Sequence, residues 1–106
     1  MKFNRDCMIK YKIQKTPEYQ KWIDKELARS QVLIEARLSM IEFNGHFGDH
    51  RSLDDGVWEL KWVNGRRIYY AYIPKQKILL LLGGNKNGQK KDVIKAKKIF
   101  KKYQVN

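Results

Sequence analysis

Two histidines, one cysteine and a surplus of cations are what this chain offers to chemistry. His46 and His50 lie in one turn-rich run, Asn44–Gly56. They are the only side chains whose ordinary pKa falls near neutrality. Cys7 stands alone, which excludes an intramolecular disulfide and argues against a thiolate zinc cluster. No metal and no cofactor are expected. Twenty-three lysines and arginines outnumber 11 acids, a formal net charge of +12. The excess is concentrated: residues 75–106 hold 10 lysines against Asp92 alone. One strongly cationic segment on a basic domain is the electrostatic footprint of a nucleic-acid binder. A solvated lysine face and a docking face for an acidic protein are the competing readings.

At 106 residues and 42% hydrophobic content the chain is long enough for one domain with a real core, spanning 1–106. Its longest aliphatic run, Ile78–Leu82, is far below the roughly 18 residues of a membrane span. The charged start, Met1 to Asp6, carries no apolar signal region, so a reducing cytoplasm and no membrane are expected.

The elements that must position these groups follow from spacing. Met8–Ile13 alternates imperfectly and reads as a strand. Thr16-Pro17-Glu18 opens a helix: a cap, a proline suited to the first turn, and an acid at the positive end. Tyr19, Trp22, Ile23 and Leu27 give its apolar stripe. A joint at Arg29-Ser30, with Ser30 a possible cap, leads to a second helix. There Val32, Leu33, Ala36 and Met40, with Ile34, Leu38 and Ile41 alongside, form a broad buried face, and the pair should pack as a helical hairpin. Val57–Trp62 and Arg66–Ile73 read as strands about an Asn64-Gly65 turn. Lys77–Leu82, apolar on both faces, reads as a covered central strand ended by Gly83-Gly84. The last helix, Lys90–Tyr103, buries Val93, Ala96, Ile99, Phe100 and Tyr103 and turns Lys91, Lys95, Lys98 and Lys102 outward. The order is β-α-α-β-β-β-α, an α+β domain with a mainly antiparallel sheet.

Several motifs then occur in one order. They are Gly45-His46-Phe47-Gly48-Asp49-His50-Arg51-Ser52-Leu53, Gly56-Val57-Trp58-Glu59-Leu60, Arg67-Ile68-Tyr69-Tyr70 and Leu80-Leu81-Leu82-Gly83-Gly84-Asn85-Lys86, followed by Gln89. This pattern resembles the RelE/ParE superfamily of type II toxin–antitoxin toxins, its HigB-like addiction module killer branch above all. The resemblance implies a compact RelE-like fold and cleavage of messenger RNA on the ribosome, hence arrest of translation and growth. It also implies a small antitoxin, of helix-turn-helix type in this branch, and joint binding of the pair to operator DNA.

Metal-free RNA cleavage by the 2′-hydroxyl needs a proton acceptor, a proton donor and cations facing the charged phosphate. Arg67 stands where the family carries its active-site arginine, and its rigid fork can bridge two phosphate oxygens. Its bland alternative is a strand arginine paired with Glu59. Arg66 should point to the other sheet face. Lys86 follows two glycines and precedes a helix, in a place where relatives carry a cation. Arg51 stands where that branch has lysine, and arginine is a poor base. His50 beside it is therefore the expected acid/base, with His46 weaker. Lys61 and the lysines of the last helix (Lys91, Lys95, Lys98, Lys102) would track RNA phosphates. Asp49, Gly45 and Gly48 shape the loop. Trp58, Trp62, Tyr69, Tyr70 and Tyr72 offer stacking faces, though packing is the commoner use of such rings. A gyrase-inhibiting ParE-like toxin and a non-catalytic nucleic-acid-binding module are the two other readings.

Overall fold

Thr16 opens the first helix as its sequence setting expects. Its hydroxyl accepts the Tyr19 N–H at 3.0 Å and donates to the Leu81 carbonyl at 2.8 Å, with Pro17 next in line. One threonine thus caps a helix and pins it to the sheet. The computed structural model describes residues 9–104. Its elements are β1 (Lys12–Lys15), α1 (Pro17–Asp24), α2 (Ala28–Asn44), β2 (His50–Ser52), β3 (Val57–Lys61), β4 (Arg66–Ile73), β5 (Lys77–Asn85), a 3-10 turn (Lys86–Gly88) and α3 (Gln89–Gln104).

The strands form one sheet in the order β1-β5-β4-β3-β2. Only the β1–β5 pair is parallel; the others are antiparallel. Alternation sorts the side chains into two cores. On one face Leu60, Ile68, Tyr70, Ile78 and Leu80 pack against Tyr19, Ile23, Ile34, Leu38 and Ile41 of α1 and α2. On the other, Val57, Tyr69, Ala71, Leu79 and Leu81 pack against Ala96, Ile99 and Phe100 of α3. The sheet is therefore covered on both sides, and the α+β architecture expected from the sequence is the one observed.

Several details differ. A short strand, β2, lies inside the run read as turns, so four strands follow the helices instead of three. The first strand starts later, at Lys12, because Lys12–Lys15 pairs in parallel with Lys77–Leu80; Met8 lies outside the described residues. Helix α2 begins at Ala28 with no side-chain cap bond, and Ser30 sits within it, its hydroxyl accepting from Arg66 Nη2 at 3.1 Å. Its buried arc is Ile34, Leu38 and Ile41, whereas Val32, Leu33, Ala36 and Met40 face solvent. Apolar residues surround most of this helix, so spacing alone did not say which arc meets the sheet.

Gly83 and Gly84 lie within β5, which runs to Asn85. A Cβ on Gly83 would collide with the Trp22 indole, and one on Gly84 with the Asp92 carboxylate. Side chains of both helical layers press against the sheet backbone here, which only glycine permits.

Candidate functional site

Glu59 is the node of the α3-facing side of the sheet. It sits mid-strand in β3, fully buried, with Arg51 of β2 and Tyr69 of β4 opposite it in register. Its Oε1 accepts from Arg51 Nε at 3.0 Å. Its Oε2 accepts from Gln89 Nε2, at the start of α3, at 2.8 Å and lies 3.3 Å from Arg67 Nε. A carboxylate removed from water must be paired or hydrogen-bonded, and here three elements, β2, β4 and α3, supply the partners. Arg67 Nη1 also donates to the Gly65 carbonyl at 3.2 Å. The two arginines differ in access: the Arg51 side chain is 61% exposed, that of Arg67 only 8%.

Around this node the same face carries exposed cations. Lys61 stands opposite Arg67 in the β3–β4 register. Lys86 occupies the 3-10 turn after β5, and Gly65 lies against its aliphatic stem. Asn85 shapes that turn, its Oδ1 accepting the Asn87 N–H at 2.9 Å. Lys91, Lys95, Lys98 and Lys102 continue the positive surface along α3, all exposed. Asp92, in the first turn of α3, lies against Gly84 and Gly88, and burial raises its pKa. Burial, then the neighbouring Glu59, drives the Tyr69 phenol far above its usual range. Such an array can hold polyanions and stabilise charge developing on a phosphate.

His50 does not join this group. Adjacent residues of a strand point to opposite faces, so Arg51 meets Glu59 while His50 is in register with Leu60. Its Nδ1 lies 2.9 Å from the Gly48 carbonyl, and its ring packs 5.3 Å from Phe47 and 5.7 Å from Trp58. His46 is exposed in the preceding loop. The four catalytic candidates therefore divide: Arg51 and Arg67 meet on Glu59, Lys86 stands on the turn into α3 with its stem against Gly65, and His50 lies on the other face. Arg66 also points away, as expected, reaching Glu26 at 3.5 Å. Tyr70 and Tyr72 group with Phe47, Trp58 and Tyr11 on the His50 side, and Tyr69 faces α3.

Two residues of consequence escaped sequence reasoning. Glu59 was weighed only as a partner for Arg67, although one acid amid Val57-Trp58-Glu59-Leu60 was a signal for a buried ion pair. Arg37 of α2 donates to the carbonyls of Phe47, Asp49 and Lys61, and stacks over Trp62 at 4.3 Å. It ties the loop before β2 to the end of β3, and burial lowers its pKa. Nothing in the local sequence separates it from an ordinary helix arginine.

Residues 21–104 match the family model described as Phage derived protein Gp49-like. The chain belongs to this family. A Haemophilus influenzae relative, described as an uncharacterized protein, is 36% identical over 89 residues, covering 80% of this chain and 88% of that one. Among solved structures, a free-state mutant of the E. coli toxin RelE superposes with a TM-score of 0.64 at 12% identity, over 81% of this chain and 92% of that one. A chain of the intact E. coli RelBE toxin–antitoxin complex gives 0.61 at 13%, over 71% and 95%. The RelBE2 toxin–antitoxin complex of Mycobacterium tuberculosis gives 0.53 at 13%, over 74% and 93%. The RelE fold implied by the motifs is thus the fold of this Gp49-like chain.

Proposed function

We propose that this Gp49-like protein is the toxin of a type II toxin–antitoxin pair and acts as a ribosome-dependent messenger-RNA endonuclease. One observation supports this reading above the rest: Arg51 and Lys61 stand exposed on one face of a RelE-type sheet, beside a buried Arg67–Glu59 pair, with Lys86 exposed on the turn that leads into α3. The reaction is attack of a 2′-hydroxyl on the adjacent phosphate without a metal. The contribution of this face is electrostatic: cations set in place before charge accumulates on phosphate. His50, on the opposite face, does not share that phosphate. The lysines of α3 hold RNA or ribosomal RNA through backbone phosphates.

A cognate antitoxin, of helix-turn-helix type and presenting an acidic or amphipathic segment, covers this surface. The pair together binds operator DNA, and all of this takes place in the cytoplasm. Among the described residues no helix is long and apolar enough to cross a membrane.

The withdrawal of Arg67 from solvent favours a second reading, a ParE-like toxin that inhibits gyrase and cleaves nothing. Inducing the chain in a bacterial host separates them. The nuclease reading expects new RNA 5′ ends within minutes and continued replication. Intact messenger with blocked replication is the outcome of the second.

A further inference from the structure

Arg51 owes its position to a carboxylate that solvent does not reach. It sits on β2, three residues long, exposed throughout and at the sheet edge. An arginine in such a place would ordinarily sample many rotamers. Here Glu59 Oε1 takes its Nε at 3.0 Å. Among the described residues the Arg51 side chain hydrogen-bonds through Nε alone and is 61% exposed, which leaves both Nη groups without a protein partner. A fork held by its stem is the geometry that grips two oxygens of one phosphate.

Charge completes the argument. Were Glu59 paired to Arg51 alone, the pair would be neutral and attract phosphate weakly. Arg67 supplies a second guanidinium to the same carboxylate from inside the fold, 3.3 Å from Oε2. The triad keeps one net positive charge, and Arg51 is its only solvent-facing member. Gln89 Nε2, at 2.8 Å on Oε2, fixes the carboxylate from α3.

We propose that Glu59 is a positioning residue, which aims the Arg51 fork at an RNA phosphate while Arg67 acts from beneath as countercharge without touching substrate. This rests on the ribonuclease reading of the site, so its test has one arm that needs no cleavage.

That arm is the proton–nitrogen spectrum of arginine Nε groups in the full chain. The Arg51 Nε–H should give one protected, shifted signal that Glu59→Gln removes. A non-cleavable 2′-O-methyl RNA should perturb the Arg51 Nη signals and leave those of Arg67 in place. The second arm is a double-mutant cycle on ribosome-dependent cleavage. Glu59→Gln and Arg51→Gln should each lower kcat about 10²-fold, the loss seen for single transition-state donors. KM should stay within about twofold, and the double variant should lose little more, because coupled residues are not additive. A purely structural Glu59 would instead give losses that add, with the Arg51 Nε signal unmoved. An unchanged Arg51 Nε signal in folded Glu59→Gln overturns the proposal, as do additive losses. Should Glu59→Gln not fold, Gln89→Ala takes its place, and a shifted Arg51 Nε signal supports the proposal while an unmoved one overturns it. Absence of any wild-type cleavage would refute the nuclease reading alone, leaving the spectra to decide the role of Glu59.

Discussion

Removing one member of the Glu59 pair leaves its opposite charge buried. Breaking a buried ion pair from one side costs about 3–5 kcal/mol, whereas replacing both members by apolar groups is often close to neutral. Arg67→Met alone should therefore shift the denaturant midpoint strongly, and Glu59→Met with Arg67→Met should recover much of the loss. Near-equal midpoints for the single variant and wild type would mean that Arg51 and Gln89 suffice to hold the Glu59 charge. Asp92 gives a pH test. Burial raises its pKa from an ordinary 3.8, so the folded state holds this proton more tightly than the unfolded one. Stability from this group is present at low pH and declines as pH rises through the window above 3.8. Asp92→Asn should unfold at higher denaturant than wild type at pH 7 and at the same concentration near pH 3. A fall in midpoint at pH 7 would show that the first-turn position of the carboxylate outweighs its burial. At this scale the sequence yielded residue types better than directions. Arg51, Lys61 and Lys86 were legible as exposed cations, but His50 was linked to Arg51 by adjacency, which in a strand means opposite faces. His50→Gln should accordingly leave the rate and pH profile of cleavage unchanged.

Local chemistry dictates some elements and tertiary packing the others. Thr16-Pro17 fixes the start of α1 because one side chain satisfies an orphan N–H of the helix and also bonds the Leu81 carbonyl. Thr16→Ala should cost about 1–2 kcal/mol, at the upper end for a cap, measured by thermal or denaturant melts. No change would mean that water replaces both bonds. The Asn64-Gly65 hairpin was equally legible: Asn64 Oδ1 accepts the Arg66 N–H at 2.9 Å and Gly65 adopts a φ of 96°. By contrast β2 was hidden, since three residues in a turn-rich run acquire strand geometry only by pairing with β3. The exposed arc of α2 was hidden for the opposite reason, its apolar residues being too many to choose among. Helix α3 was legible in its lysines, which face out, and in Ala96, Ile99 and Phe100, which face in, but Tyr103, expected inside, is exposed near the end of the helix. Replacing Lys91, Lys95, Lys98 and Lys102 by Gln should flatten the salt dependence of RNA binding by about 0.7 per lost phosphate contact. If RNA binding is untouched and antitoxin binding is lost, this helix is a protein-docking face.

Across the whole molecule, a net charge of +12 on a two-faced sheet sets what partners it meets. The order of elements and the ordered motifs made the RelE-type fold readable before any coordinates. Activity was less readable, because the same fold supports more than one action and only the site discriminates. That site places three exposed cations around a buried arginine–carboxylate pair, an arrangement suited to phosphate and superfluous for a protein that merely blocks a partner. The most direct test is the end chemistry of fragments released when purified chain meets messenger RNA on translating ribosomes. Attack by the 2′-hydroxyl predicts 5′-hydroxyl ends and cyclic or terminal phosphate on the 3′ side, with fragments lost in Arg51→Gln. Intact messenger, or fragments bearing 5′-phosphate, would contradict the account.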